Sequence, residues 1–222
     1  MREPFAVTDC NLIALATGER AYNLRELRDC LTRHQDLSVI YDHFWGVRLR
    51  PQFEDPEYLN DFASWAFHEL HDRKLAERLS IINPGRFDSL EDVRHQVLEV
   101  IEDRMDEDWT SSRLEAIHPF FFTRSQIVVF DSGIRVAAPE ELVEIIPDLS
   151  LGSMFYHFID ARRRVESGLD DFSEWLEVFG AEYEPLVEQI AGIDPFFNSL
   201  SELRQELSAI LSTYFERRGS RV

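Results

Sequence analysis

Apolar residues recur along this chain at helical spacing, most clearly in SLEDVRHQVLEVIEDRM. There Leu90, Val93, Val97, Val100 and Ile101 form one stripe, with charged residues on the opposite face. A second run, SLSELRQELSAIL, repeats the form with Leu200, Leu203, Leu207, Ile210 and Leu211. Helix-start signals are also present. Asn23 with Glu26, Ser89 with Asp92 and Ser199 with Glu202 have capping-box spacing. Pro139, followed by Glu140 and Glu141, suits a first helical turn.

Two segments pull both ways. QIVVF reads as a strand from its β-branched residues, whereas NLIALA at the matching place reads as helix. Thr8 and Thr123 then serve as N-caps and Gly18 and Gly133 as C′ glycines. Helix is the expectation for both, with a short extended piece at most at PFAV and PFFF. The fold class expected is all-α.

The chain repeats itself. PFAVTDCNLIALATG (4–18) matches PFFFTRSQIVVFDSG (119–133), and YDHFWGVRLRP (41–51) matches FYHFIDARRRV (155–165). NDFASWAFHEL (60–70) then matches DDFSEWLEVFG (170–180), and LAERLSIINPGRFDSLEDVRHQVLEVI (75–101) matches LVEQIAGIDPFFNSLSELRQELSAIL (186–211). Four blocks in one order imply a tandem duplication of a five- to six-helix unit. The repeats are placed at 1–113 and 114–222, either as two bodies or packed as one domain, with EDWTSSRLEAIH as the connection. Copies sharing one apolar patch are expected to pack about a pseudo-twofold axis.

The blocks NLRELRDCL, SVIYDHF, NDFASWAFHEL and LAERLSIINPGRFDSLEDVR resemble an uncharacterised prokaryotic family, classed as a domain of unknown function. The similarity covers most of the chain. It implies a soluble helical prokaryotic protein without an assigned activity, and it transfers no catalytic residue.

Composition narrows the function. With 44% hydrophobic and 12% aromatic residues, the 222-residue chain can bury a core and is not disordered. Its 42 acidic and 23 basic residues give a formal charge of -19, which disfavours binding to nucleic acid and to anionic membrane surfaces. Among the basic residues Lys74 is the sole lysine. Cys10 and Cys30 form neither a metal-ligand spacing nor a disulfide framework. MREPFAVTDC lacks the apolar core of a signal peptide, so a cytoplasmic location is expected.

The candidate chemistry lies in a motif written twice, H-F-x-x-x-R-x-R. It places His43, Arg48 and Arg50 in one repeat and His157, Arg162 and Arg164 in the other. On a helix His43 would share a face with Arg50, and His157 with Arg164. Guanidinium forks beside an imidazole suit a small anion. The structural alternative has each histidine bonding a carbonyl between helices, with the arginines answering acids such as Glu54 and Asp55. HELH (68–71) sets His68 and His71 one turn apart, one residue short of a zinc-protease motif and without a counterpart in the other repeat, so no metal is expected. Glycine-rich phosphate loops and G-x-S-x-G elbows are missing from the sequence, and no cofactor is expected. Trp65 with Phe62, and Trp175 with Phe172, read as core, while Asp61 and Asp171 read as first-turn residues favoured by the helix dipole.

These features favour a non-catalytic binding or scaffold protein acting through a protein partner or a small anionic metabolite. The competing reading is an enzyme acting on a phosphorylated or carboxylated small molecule, a sugar derivative for example, with His43 or His157 as acid–base. Side-chain geometry separates the two: an enzyme needs the histidines to open onto a pocket.

Overall fold

The structure is a computed structural model describing residues 3–33, 35–50, 57–110, 113–165 and 167–219. It opens on a strand, β1 (Phe5–Ala21), followed by α1 (Leu24–Arg33), α2 (Ser38–Phe44), α3 (Asp61–His68), α4 (Arg73–Ser80) and α5 (Leu90–Glu107). A second strand, β2 (Phe120–Val136), precedes α6 (Leu142–Ile145), α7 (Leu151–Met154), a π-helical turn (Phe155–Asp160) and α8 (Ala161–Arg164). The chain then forms α9 (Asp171–Glu177), α10 (Glu184–Ala191) and α11 (Leu200–Gly219).

The all-α expectation is overturned. PFAV and PFFF do open extended segments, but those segments continue for 17 residues each and pair as a two-stranded antiparallel sheet. At their starts the burial alternates as a strand requires: Phe5 and Val7 are buried around exposed Ala6, and Phe120 and Phe122 around exposed Phe121. Further on, Ile13, Val128, Val129 and Phe130 are all exposed, so the alternation that would have betrayed the strand is lost.

Gly18 and Gly133 have positive φ, 86° and 79°, but as kinks within strands rather than helix ends. The residue before each glycine works the same way in both strands. Thr17 Oγ1 donates to the Phe122 carbonyl at 2.8 Å and accepts from Glu19 N. Ser132 Oγ donates to the Val7 carbonyl at 2.6 Å and accepts from Ile134 N.

The chain divides into two compact units, one holding Leu12–Gln126 and the other Met1–Asn11 with Ile127–Val222. Each helical set therefore closes over the opening strand segment of the other half of the sequence. The α1–α5 unit uses Phe120–Gln126, and the α6–α11 unit uses Phe5–Asn11.

Helices from the matching sequence blocks carry equivalent anchors. Val93, Val97, Ile101 and Met105 line the buried face of α5, and Leu200, Leu203, Leu207 and Leu211 that of α11. Arg94 donates to the Leu31 carbonyl at 3.0 Å, and Arg204 to the Leu149 carbonyl at 2.6 Å. Side chains of Asn83 and Asp194 each accept from the backbone N–H two residues on, turning the chain around Pro84 and Pro195. Ser89 and Ser199 cap α5 and α11 as their spacing indicates. Asn23 accepts from Glu26 N, while the Glu26 carboxylate reaches Tyr22 N rather than Asn23 N.

His71, three residues past the end of α3, has φ of 53°, and Asp72 N donates back to the Ala66 carbonyl across it. That is the left-handed position a glycine fills without strain. His71→Gly should therefore raise stability by about 0.5–1 kcal/mol. A lowered melting temperature would show instead that the imidazole makes a compensating contact.

Candidate functional site: twin grooves around an extended segment

In the α1–α5 unit, α2 carries His43, and α3 starts at Asp61 behind the Asn60 cap, whose side chain accepts from Ala63 N at 2.9 Å. The short helical turn Gly46–Leu49 then delivers Arg50. His43 Nδ1 lies 2.7 Å from Asp61 Oδ2, and Arg50 Nη1 lies 2.8 Å from the same oxygen. Thr123 N of β2 donates to His43 Nε2 at 3.3 Å. A backbone N–H can only donate, so Nε2 is the acceptor, and Nδ1 carries the proton given to Asp61.

The α6–α11 unit repeats the set. His157 Nδ1 lies 2.7 Å from Asp171 Oδ2, Arg164 Nη2 lies 2.9 Å from it, and Thr8 N of β1 donates to His157 Nε2 at 2.8 Å. Both imidazoles are buried, at 2% and 3% exposure, with both ring nitrogens engaged.

A second carboxylate also meets each arginine, and it arrives by two routes. In one unit Asp42, immediately before the histidine, sits 2.7 Å from Arg50 Nη2 and also accepts from the Thr123 and Ser125 hydroxyls. In the other, Asp160, three residues after the histidine, sits 2.9 Å from Arg164 Nε. The repeat alignment sets Gly46 opposite Asp160 and Asp42 opposite Tyr156. A Cβ on Gly46 would collide with the Asp42 carboxylate, so the glycine makes room for a carboxylate supplied from one turn earlier.

These pairings fix the electrostatics. Burial alone would push the Asp61 carboxyl up, but the hydrogen bonds from His43 and Arg50 and the charge of Arg50 outweigh it, and its pKa lies below the ordinary value. Arg50 and Arg164 are raised despite partial burial, because their paired carboxylates favour the cation. Cys10, buried beside Asp9 and Asp160, is pushed up to about 12 and is not a poised nucleophile.

The expected site residues therefore divide. His43 meets Arg50, and His157 meets Arg164, each through an aspartate of the chain itself. Arg48 and Arg162 stand apart: the Arg48 guanidinium lies 5.3 Å from the Trp45 ring centroid and that of Arg162 4.7 Å from Phe158's. Burial lowers the Arg162 pKa, and an Asp170 carboxylate oxygen lies 4.0 Å from its guanidinium. Glu54 and Asp55 lie outside the described residues. The HELH histidines are exposed, and Glu69 between them pairs with His118 at 3.1 Å. Among the described residues no cluster of three or more His, Cys, Asp or Glu is placed to hold a metal.

The strand completes the groove. Phe120 lies within 4.6 Å of His43, 5.0 Å of Phe62 and 5.8 Å of Trp65, ring centre to ring centre. Phe5 lies within 4.9 Å of His157, 5.2 Å of Phe172 and 5.6 Å of Trp175. Trp65 Nε1 donates to the His118 carbonyl at 2.9 Å, and Trp175 Nε1 to the Glu3 carbonyl at 3.2 Å, each just before the proline that opens the strand. Trp65 is buried, whereas Trp175 is half-buried. Each groove thus grips a Pro-Phe-x-x-Thr segment at its proline end, its phenylalanine and its threonine.

A family model described as "Family of unknown function (DUF5752)" matches residues 2–212. The chain belongs to that family. The resemblance read from NDFASW and SLEDVR led to a family of this kind. Among solved structures, OrfY from Thermoproteus tenax matches with a TM-score of 0.78 at 30% sequence identity, covering 97% of each chain. No curated protein matches. Among the described residues no helix is long and apolar enough to cross a membrane.

Proposed function

We propose that this protein is a non-catalytic binding or scaffold protein acting through a protein partner, its helical units serving as receptors for extended Pro-Phe-x-x-Thr segments. The observation that carries this reading is the recurrence of one grip in both units: histidine Nε2 on the threonine N–H, tryptophan Nε1 on the carbonyl before proline, and an aromatic box around phenylalanine. Main-chain hydrogen bonds with a side-chain pocket are the working parts of extended-peptide recognition.

The same geometry weighs against an acid–base role. A catalytic imidazole must offer a free nitrogen to substrate, and here each Nε2 is held by the strand and each Nδ1 by an aspartate. A small anion at Arg50 or Arg164 would have to displace carboxylates already bonded there.

A labelled peptide EPFAVTDC, titrated into the full chain carrying Phe5→Ala and Thr8→Pro, tests the reading by fluorescence anisotropy. That variant loses the resident ring and the resident N–H donor. Saturable binding is expected, weakened more than about tenfold when alanine replaces the peptide's phenylalanine. A variant that keeps its helical circular dichroism yet captures no peptide would reject the receptor role.

A further inference from the structure

We infer that two copies of this chain exchange strands, with the Phe5–Asn11 segment of one seated in the α6–α11 groove of the other; this rests on the receptor reading above. The α6–α11 helices and Ile127–Val136 form one continuous stretch, but the segment completing their unit is joined to them only through Leu12–Gln126. Nothing in the groove distinguishes its own segment from the same segment of a second copy.

The groove is built for a close-lying strand backbone. Cys10 Sγ donates to the Gly152 carbonyl at 3.3 Å, and a Cβ on Gly152 would collide with the Asp9 carboxylate and the Cys10 carbonyl. Phe5, Val7 and Cys10 are 7%, 1% and 1% exposed. Thr8 N and the Glu3 carbonyl are bonded to groove side chains, and the Val7 carbonyl to Ser132. All of these contacts lie inside one unit, so an exchanged dimer keeps every one and alters only the path at Asn11–Leu12, where β1 passes between units. Exchange of an identical element is a low-cost route to a dimer.

Connectivity sets the balance between the two forms. A tethered segment competes at an effective concentration of about 1 mM, so the closed monomer leads at micromolar concentration and exchange at high concentration. Interconversion requires the strand to leave its groove, so either form persists once made.

Refolding from urea tests this, with mass read by light scattering behind size exclusion. Wild type refolded near 1 mM should give a dimer that survives dilution, and wild type refolded near 10 µM should give monomer. The Phe5→Ala, Thr8→Pro chain should give no dimer under either condition. Mixed during refolding with a Gly152→Val chain, whose added side chain obstructs the acceptor, it should form a heterodimer that neither makes alone. Monomer at every wild-type concentration, or equal dimer from the donor-weakened chain, would overturn the exchange; the wild-type arm decides even if Gly152→Val fails to fold. Capture of EPFAVTDC without exchange would sink this inference and leave the receptor reading standing, whereas failure of both would remove both.

Discussion

Phe120→Ala should destabilise the α1–α5 unit by about 3–5 kcal/mol, and Phe5→Ala the α6–α11 unit by a similar amount, the usual range for truncating a buried phenylalanine. Phe120 is 4% exposed and stacks on Phe62 with an interplanar angle of 13°. Truncation leaves a void bounded by His43, Phe62 and Trp65, of which His43 and Trp65 are held by hydrogen bonds and cannot collapse freely. Phe121, its neighbour, points outward at 60% exposure, so Phe121→Ala should change stability by less than about 0.5 kcal/mol. Urea titrations followed by tryptophan emission measure all three. Equal losses at 120 and 121 would mean that the strand's register differs from the one described.

That contrast between adjacent phenylalanines shows what the sequence disclosed and what it concealed. The matching blocks were legible in the sequence, and aligned residues in them make matching contacts: Trp65 and Trp175 bond the carbonyl before a proline, and Arg94 and Arg204 bond a carbonyl in their own units. The strands were concealed for a local reason. QIVVF carried the β signal, but Ala14, Leu15 and Ala16 at the matching place in β1 favour helix, and exposed Ile13, Val128 and Val129 blur the alternation. What holds Phe5–Ala21 extended is pairing with Phe120–Val136, a partner far away in sequence and invisible to local propensity.

The site was half legible for a related reason. His43, Arg50, His157 and Arg164 stood out as a repeated motif, and within each unit the histidine and arginine meet on one aspartate. Their common partners, Asp61 and Asp171, were read as helix-start residues, an environment they do occupy. The repeat alignment pairs those aspartates as firmly as the histidines, which was the available signal. Asp42 and Asp160 could not be matched in that way, because one carboxylate role is filled from positions a helical turn apart. Thr8 and Thr123 were noticed for their hydroxyls as helix caps, whereas the grooves use their backbone N–H groups, a contribution that side-chain identity does not advertise, together with the Thr123 hydroxyl bonded to Asp42.

Asp61→Asn should cost about 2–3 kcal/mol at neutral pH, within the range for losing a charge-assisted hydrogen bond. An amide oxygen at the Oδ2 position can still accept from both His43 Nδ1–H and Arg50 Nη1–H, but it brings no negative charge to the guanidinium. The pH dependence separates charge from packing. Asp61 has a folded-state pKa below its unfolded value of about 3.9. Its ionised form therefore stabilises the fold at every pH above that unfolded value, and the contribution is lost as pH falls through the depressed folded-state pKa. The stability gap between wild type and Asp61→Asn should hold steady from about pH 8 to pH 5 and narrow only below about pH 4. A gap that stays constant into acid would assign the loss to shape rather than charge. A gap that closes between pH 7 and pH 5 would mean that another group, and not the Asp61 carboxylate, controls the His43–Arg50 junction.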